Sequence, residues 1–249
     1  MAISIKSERE IQLMRESCKI LAKVHDELGK AIRPGMTTME INKIGDDLIR
    51  SFGCVPNFLN YNGYPASICV SVNEEVVHGI PGKRVVQEGD IVSLDAGLIY
   101  KGYHSDAART HAVGQVSPEV QKLMDVTKQA FFEGIKMAKP GNHLFDISNA
   151  IDDYVSGFGY GIVRELVGHG IGTSLHEDPQ IPNFRQGRRG PKLVPGMTLA
   201  IEPMINMGRA DVEWLDDDWT VVAEDGLPSA HYENTILITD GEPEILTLL

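Results

Sequence analysis

Apolar side chains recur every three to four residues in four stretches of the chain and cluster in short runs elsewhere. Ile11, Met14, Cys18, Leu21 and Ala22 share one helical face, and Ser7 with Glu10 opens that helix at capping-box spacing. After Pro34-Gly35, Thr38 stands where it can cap a second helix whose apolar face carries Ile41, Ile44, Leu48 and Ile49. Val120–Ala138 and Leu144–Val155 read as two more helices, and Ile68–Val72, Ile91–Leu94, Ala108–Val113, Leu199–Ile201, Thr220–Val222 and Thr235–Ile238 as strands. The run from Ile91 to Val113 reads as a hairpin turning at Lys101-Gly102, with Tyr100 facing Tyr103 and Asp95 facing Ala108. These elements predict an α+β architecture of antiparallel strands covered by helices.

The pattern also repeats. At an offset of 106, Pro34-Gly35 aligns with Pro140-Gly141, Asp46-Asp47 with Asp152-Asp153, and Phe52-Gly53 with Phe158-Gly159; at 107, Gly89 precedes Asp95 as Gly196 precedes Glu202. Two copies at so long a period are neither a solenoid nor an array. The expectation is a single domain, 1–249, made of two related halves, roughly 1–110 and 120–249, packed about a pseudo-two-fold axis.

Composition narrows the class. A chain of 249 residues can bury a sizeable core. The charged opening Met1–Glu10 is unlike a signal peptide, and no stretch nears the roughly 18 apolar residues that span a bilayer. A cytoplasmic protein without a membrane partner is expected. Cys18, Cys54 and Cys69 lack the count and spacing of a disulfide framework and read as reduced thiols. A net charge of −12 argues against DNA as a partner. One basic island, Arg185–Lys192, is either a solvated loop or a patch for an anionic partner.

Five charged or ligating side chains interrupt apolar runs and glycine turns: Asp95, Asp106, His169, Glu202 and Glu233. A buried charge is costly unless it is paired or binds a metal. In the expected hairpin Asp106 is the diagonal neighbour of Asp95, about 7–8 Å away at the backbone, a gap that carboxylates converging on metal ions can close. Four carboxylates with one imidazole suit two divalent ions, manganese, iron, cobalt or zinc rather than copper. Two such ions favour hydrolysis of a carbonyl compound. The alternative is a set of surface acids with one incidental histidine.

At these residues the sequence resembles the type I methionine aminopeptidases of the pita-bread fold group, which also contains prolidases and Xaa-Pro aminopeptidases. The motifs that carry the resemblance are Val72–Pro81, Leu94-Asp-Ala-Gly97, Ser105-Asp106, Gly168-His-Gly-Ile-Gly172, His176-Glu177, Ile201-Glu-Pro-Met204 and Tyr232-Glu233, and it runs over essentially the whole chain. It implies the duplicated pita-bread fold, a dinuclear site on Asp95, Asp106, His169, Glu202 and Glu233, and removal of the initiator methionine from nascent chains whose second residue is small. It implies attack of a metal-bound water on the scissile carbonyl, with Glu202 as proton shuttle, His176 beside the developing oxyanion and His78 at the amide beyond it. Phe58, Tyr61, Tyr64, Cys69, Leu175 and Trp219 would line the methionine pocket. Taken singly, each of these six reads as core packing. His25, His104, His111, His143 and His231 have no motif context and read as surface or hydrogen-bonded residues.

Two features depart from the family pattern. Asn234 stands where many relatives carry histidine, and Asp211–Asp218 is strongly acidic, which speaks against that loop as a contact to ribosomal RNA. A transient ribosome contact is then expected at Arg185–Lys192. The resemblance favours a monomer. Competing readings are a prolidase-like or Xaa-Pro aminopeptidase of the same fold, and a peptide-binding module that has lost catalysis.

Overall fold

A computed structural model of the chain describes residues 3–249, so the first two residues of the charged opening lie outside the described residues. The first 52 residues are dominated by helices α1 (Glu8–Ala31) and α2 (Thr38–Ser51); α3 (Pro118–Ile135) and α4 (Leu144–Val155) follow later. Fifteen strands are described: β1 (Val55–Pro56), β2 (Ile68–Val72), β3 (Glu75–Val77), β4 (Ile91–Tyr100), β5 (Tyr103–Ala112), β6 (Gly161–Ile162), β7 (Gly168–Gly170) and β8 (Glu177–Ile181), then β9 (Thr198–Ile201), β10 (Met204–Asn206), β11 (Val212–Trp214), β12 (Val221–Ala223), β13 (Ser229–His231), β14 (Asn234–Leu237) and β15 (Glu244–Ile245). Every strand pairing is antiparallel, and the architecture is α+β as expected.

Local chemistry explains the helix starts. The Ser7 N–H donates to Glu10 over 2.8 Å. The second cap is Thr37, one residue earlier than expected. Its hydroxyl accepts from the Glu40 N–H at 3.1 Å, and Glu40 returns a bond to the Thr37 N–H at 2.7 Å. Thr38 instead accepts the Gly82 N–H at 2.8 Å, tying the helix start to a loop. Ser117 caps α3 with Pro118 in its first turn, two residues before the apolar pattern begins.

The helices bury their apolar faces against the sheets. Leu21, Val24, Leu28, Ile41 and Ile49 pack on Val70, Val72, Val92, Leu94 and Leu98 in one core. Phe131, Ile147 and Ile151 pack on Leu199, Ile201, Ile205 and Ile236 in another. Phe131 is fully buried, and truncating it to alanine would cost about 3–5 kcal/mol. Two smaller apolar clusters remain, one around Met14, Phe58, Tyr64, Cys69 and Leu175, the other around Val77, Val163, Met204 and Val221.

Two sheets meet at the centre of the molecule. The hairpin β4–β5 has the expected register, with Tyr100 opposite Tyr103 and Asp95 opposite Ala108. Beyond β5 the chain from Glu233 into β14 is bonded to it: Glu233 N–H donates to Ala108 O at 2.9 Å, and the Thr235 side-chain Oγ1 donates to Asp106 O at 2.8 Å. The strand that carries Asp106 is thereby bonded directly to the segment that carries Glu233.

Candidate active site

Each of the five acids and imidazoles reaches the centre from a different element. Asp95 lies mid-strand in β4 opposite Cys69 of β2, and Asp106 opposite Gly97 on β5. His169 is the middle residue of β7, Glu202 follows directly on β9, and Glu233 stands between β13 and β14. Ligating atoms of Asp106, His169 and Glu233 lie within 4.8 Å of one another. Glu202 Oε1 is 3.6 Å from His169 Nε2, and Asp106 Oδ2 is 3.8 Å from the same nitrogen. The Nδ1 of His169 bonds to Gly170 O at 2.8 Å, so its proton sits there and the Nε2 lone pair faces the carboxylates.

The electrostatics of this cluster would suit a bound cation. Asp95 Oδ1, Asp106 Oδ1 and Glu233 Oε1 are buried acceptors without a hydrogen-bond donor. Burial pushes Asp95 up to about 7. Burial and neighbouring carboxylates together hold Asp106, Glu202 and Glu233 well above the carboxylate range. Burial lowers His169 to about 3, which keeps the ring neutral. Orphaned oxygen acceptors around one neutral imidazole match the donor set of a divalent transition-metal site.

All thirteen side chains singled out in the sequence line one pocket of about 220 Å³. Phe58, Tyr61, Tyr64, Cys69, Leu175 and Trp219 belong to a single apolar cluster that forms part of its wall. Trp219 stacks edge-on against Tyr64 at 5.1 Å, and its backbone is held by Asp217, which accepts its N–H at 2.9 Å. Burial keeps the Cys69 thiol protonated, so this wall presents no charge. His176 packs against His169 at 4.3 Å between ring centres and has Nδ1 2.8 Å from the Tyr61 hydroxyl. His78 sits at φ 59°, a backbone conformation rarely adopted outside glycine and concentrated at functional positions. Burial lowers both histidines, His78 to about 4.

Five further lining residues escaped the sequence reading: Asn62, Val77, Leu166, Val167 and Met204. Val77 and Met204 lie within two of the quoted motifs, but all four apolar ones read as core packing. His231 is a correction. It is buried, and although its backbone N–H donates to Thr110 Oγ1 at 2.9 Å, neither ring nitrogen has a hydrogen-bond partner, and Nε2 is 3.9 Å from Glu202 Oε2. Its position two residues before Glu233 was the available signal. His25, by contrast, does hold a bond, with Nε2 2.7 Å from Ala107 O.

Comparison with known proteins agrees with this geometry. The model for metallopeptidase family M24 matches residues 12–240. A methionine aminopeptidase from Clostridium acetobutylicum is 53% identical over 247 residues, 99% of this chain and 99% of that one. The solved structure of a methionine aminopeptidase from Thermotoga maritima superposes with a TM-score of 0.97 at 44% identity, covering 100% of both chains. An Xaa-Pro dipeptidase from Bacillus anthracis aligns at 26% identity and a TM-score of 0.79, but over only 61% of its own length. The chain has the pita-bread fold, and it belongs to metallopeptidase family M24 and, within it, to the methionine aminopeptidases.

Proposed function

We propose that this hydrolase removes the N-terminal methionine from polypeptides whose second residue is small, using two divalent metal ions held by Asp95, Asp106, His169, Glu202 and Glu233. The observation that carries the reading is the joining, in one pocket of about 220 Å³, of a donor-free carboxylate cluster with an uncharged aromatic and thiol wall. That volume is below the usual range for ligand sites, about 300–1,000 Å³, and suits one side chain with its scissile bond. Thioethers pack well against rings, which favours methionine at the wall of Tyr61, Tyr64 and Trp219. Val77, Leu166 and Met204 come from the separate apolar cluster and narrow the remaining volume, a steric reason for a small second residue.

When bound, the divalent ions supply Lewis acidity, polarising the scissile carbonyl and making water a better nucleophile near neutral pH. Glu202 takes the proton of the attacking water and delivers it to the leaving amine. His176, with its Nδ1 accepting from the Tyr61 hydroxyl, carries its proton on Nε2 and donates it as a hydrogen bond to the developing oxyanion. His78, neutral and held edge-on against Trp219 at 6.2 Å, donates to the amide beyond the cleaved bond. The acidic cluster also attracts the free α-amine of the substrate, which selects chain ends.

The site residues all come from one chain, so a monomer suffices, and no described helix is long and apolar enough to cross a membrane. We place its action on nascent chains in the cytoplasm. Contact with ribosomes through Arg185–Lys192 has weaker support, because Arg185 pairs with Asp153 and Arg189 reaches Asp146 at 3.5 Å. The experiment that tests the function is methionine release from short peptides by metal-reloaded protein. The prolidase-like alternative predicts cleavage before proline instead.

A further inference from the structure

Two motif residues have no part in the catalytic reading: Glu177, which follows His176, and Gly172, which ends the glycine run around His169. Both meet Lys6, which lies 171 positions before Glu177 in the sequence. Lys6 Nζ donates to Glu177 Oε2 at 2.6 Å, and the two side chains are only 3% and 14% exposed. A lysine so deeply buried is rare unless it is paired. The other oxygen of this carboxylate, Oε1, accepts the Ser174 N–H at 3.2 Å. One carboxylate therefore joins the N-terminal segment to the turn 172–176, which carries Leu175 and His176 into the catalytic pocket. Both sides of this tie are themselves anchored. The Lys6 N–H donates to Gly196 O at 2.9 Å, in the turn before β9 and Glu202, and the His104 N–H of β5 donates to Gly172 O at 2.8 Å. A Cβ on Gly172 would stand 2.5 Å from Lys6 Cε and 2.6 Å from Glu177 Oε1, so the missing side chain is what leaves room for the pair.

We propose that Lys6 and Glu177 are positioning residues for His176: their buried ion pair holds the turn 172–176 so that the imidazole stands beside the scissile carbonyl. The inference rests on the oxyanion role proposed above for His176. A buried ion pair stabilises a fold little more than apolar side chains of the same volume. Here it supplies geometry, because Lys6 is bonded to the turn before Glu202 and Glu177 is bonded to the turn that precedes His176. The Tyr61 hydroxyl orients the His176 ring, whereas the ion pair sets where the backbone of that residue stands. Catalysis is sensitive to such placement, since a shift of about 1 Å costs on the order of a hundredfold in rate.

The test is a double-mutant cycle, read as methionine release from Met-Ala-Ser by manganese-loaded protein with metal content measured alongside. Lys6→Met keeps an unbranched side chain and removes the charge; kcat should fall about tenfold at the metal content of the parent. Gly172→Ala keeps both charges but forces them apart, and kcat should again fall about tenfold. In a His176→Ala background neither substitution should lower kcat further by more than about twofold, because the residue they position is gone. A purely structural pair would lower kcat by the same factor in both backgrounds, and that result overturns the proposal. Parental kcat in both Lys6→Met and Gly172→Ala also overturns it, as does loss of metal in step with loss of turnover. Parental kcat in His176→Ala alone overturns the oxyanion role of His176 and this inference with it.

Discussion

The Tyr61 hydroxyl lies 2.8 Å from Nδ1 of His176 and orients the ring; in the proposed mechanism the hydroxyl donates across this contact, which leaves the ring proton on Nε2. Tyr61→Phe removes the bond but leaves the ring that packs in the pocket wall. It should lower kcat about two- to tenfold with KM nearly unchanged. His176→Ala removes the proposed oxyanion donor itself, and kcat should fall about a hundredfold. Steady-state kinetics on Met-Ala-Ser checks both; equal losses in the two variants would show that the tyrosine does more than orient the ring.

The roles proposed for Glu202 and His78 separate metal binding from chemistry. Glu202→Ala should abolish turnover and weaken metal binding, whereas His78→Ala should reduce turnover with metal content near that of the parent protein. Metal analysis after dialysis decides this. Equal loss of metal in the two variants would contradict the roles assigned to them.

Metal affinity should depend on pH with a definite sign. Burial holds Asp95 at about 7, and burial with carboxylate repulsion holds Asp106, Glu202 and Glu233 well above their ordinary range. An entering divalent ion must therefore displace protons, and affinity rises as pH increases from about 6 to 8. His169, lowered to about 3, is already neutral in this window and contributes no proton. Calorimetry in buffers of different ionisation enthalpy should register proton release; binding without it would contradict the raised carboxyl groups.

Removing one carboxylate should affect the metal-free and metal-bound proteins in opposite directions. Asp106→Asn relieves repulsion in a cluster of donor-free acceptors, so the chelated variant should melt at or above the temperature of the chelated parent. Its gain in stability on adding manganese should nearly vanish. The parent should gain about 2.7 kcal/mol at a metal concentration one hundred times Kd. Thermal melts with and without chelator provide the comparison.

Much of the site was legible because its residues break local rules. Asp95 and Asp106 interrupt an apolar hairpin whose register follows from one turn, so their approach could be read from spacing. The glycines around His169 were informative for a different reason, close packing: a Cβ at Gly168 would stand 2.4 Å from Ala200 O, and one at Gly170 2.2 Å from Asp178 O. Val77, Leu166 and Met204 obey the rules of a core, and only the tertiary structure turns them toward the pocket. The bonding of β5 to the segment around Glu233 joins residues more than a hundred positions apart and leaves no periodic trace. The departure at Asn234 is likewise resolved only in three dimensions. Its side-chain oxygen accepts from Arg109 Nη2 at 2.5 Å and from the Thr247 hydroxyl at 2.9 Å, while Arg109 also donates to the Glu233 carbonyl. The offset of 106 or 107 supports our reading of two related halves, and the aligned glycines share a left-handed backbone: Gly35 at φ 90° and Gly141 at 93°, Gly89 at 93° and Gly196 at 91°.

The most direct test is release of free methionine from Met-Ala-Ser and Met-Lys-Ser, with a Gly-Pro peptide alongside, by chelated protein reloaded separately with manganese, cobalt, iron and zinc. The account predicts metal-dependent release from Met-Ala-Ser, little from Met-Lys-Ser and no cleavage of the Gly-Pro peptide. Cleavage confined to the proline peptide, or no turnover by protein that has bound metal, would contradict it.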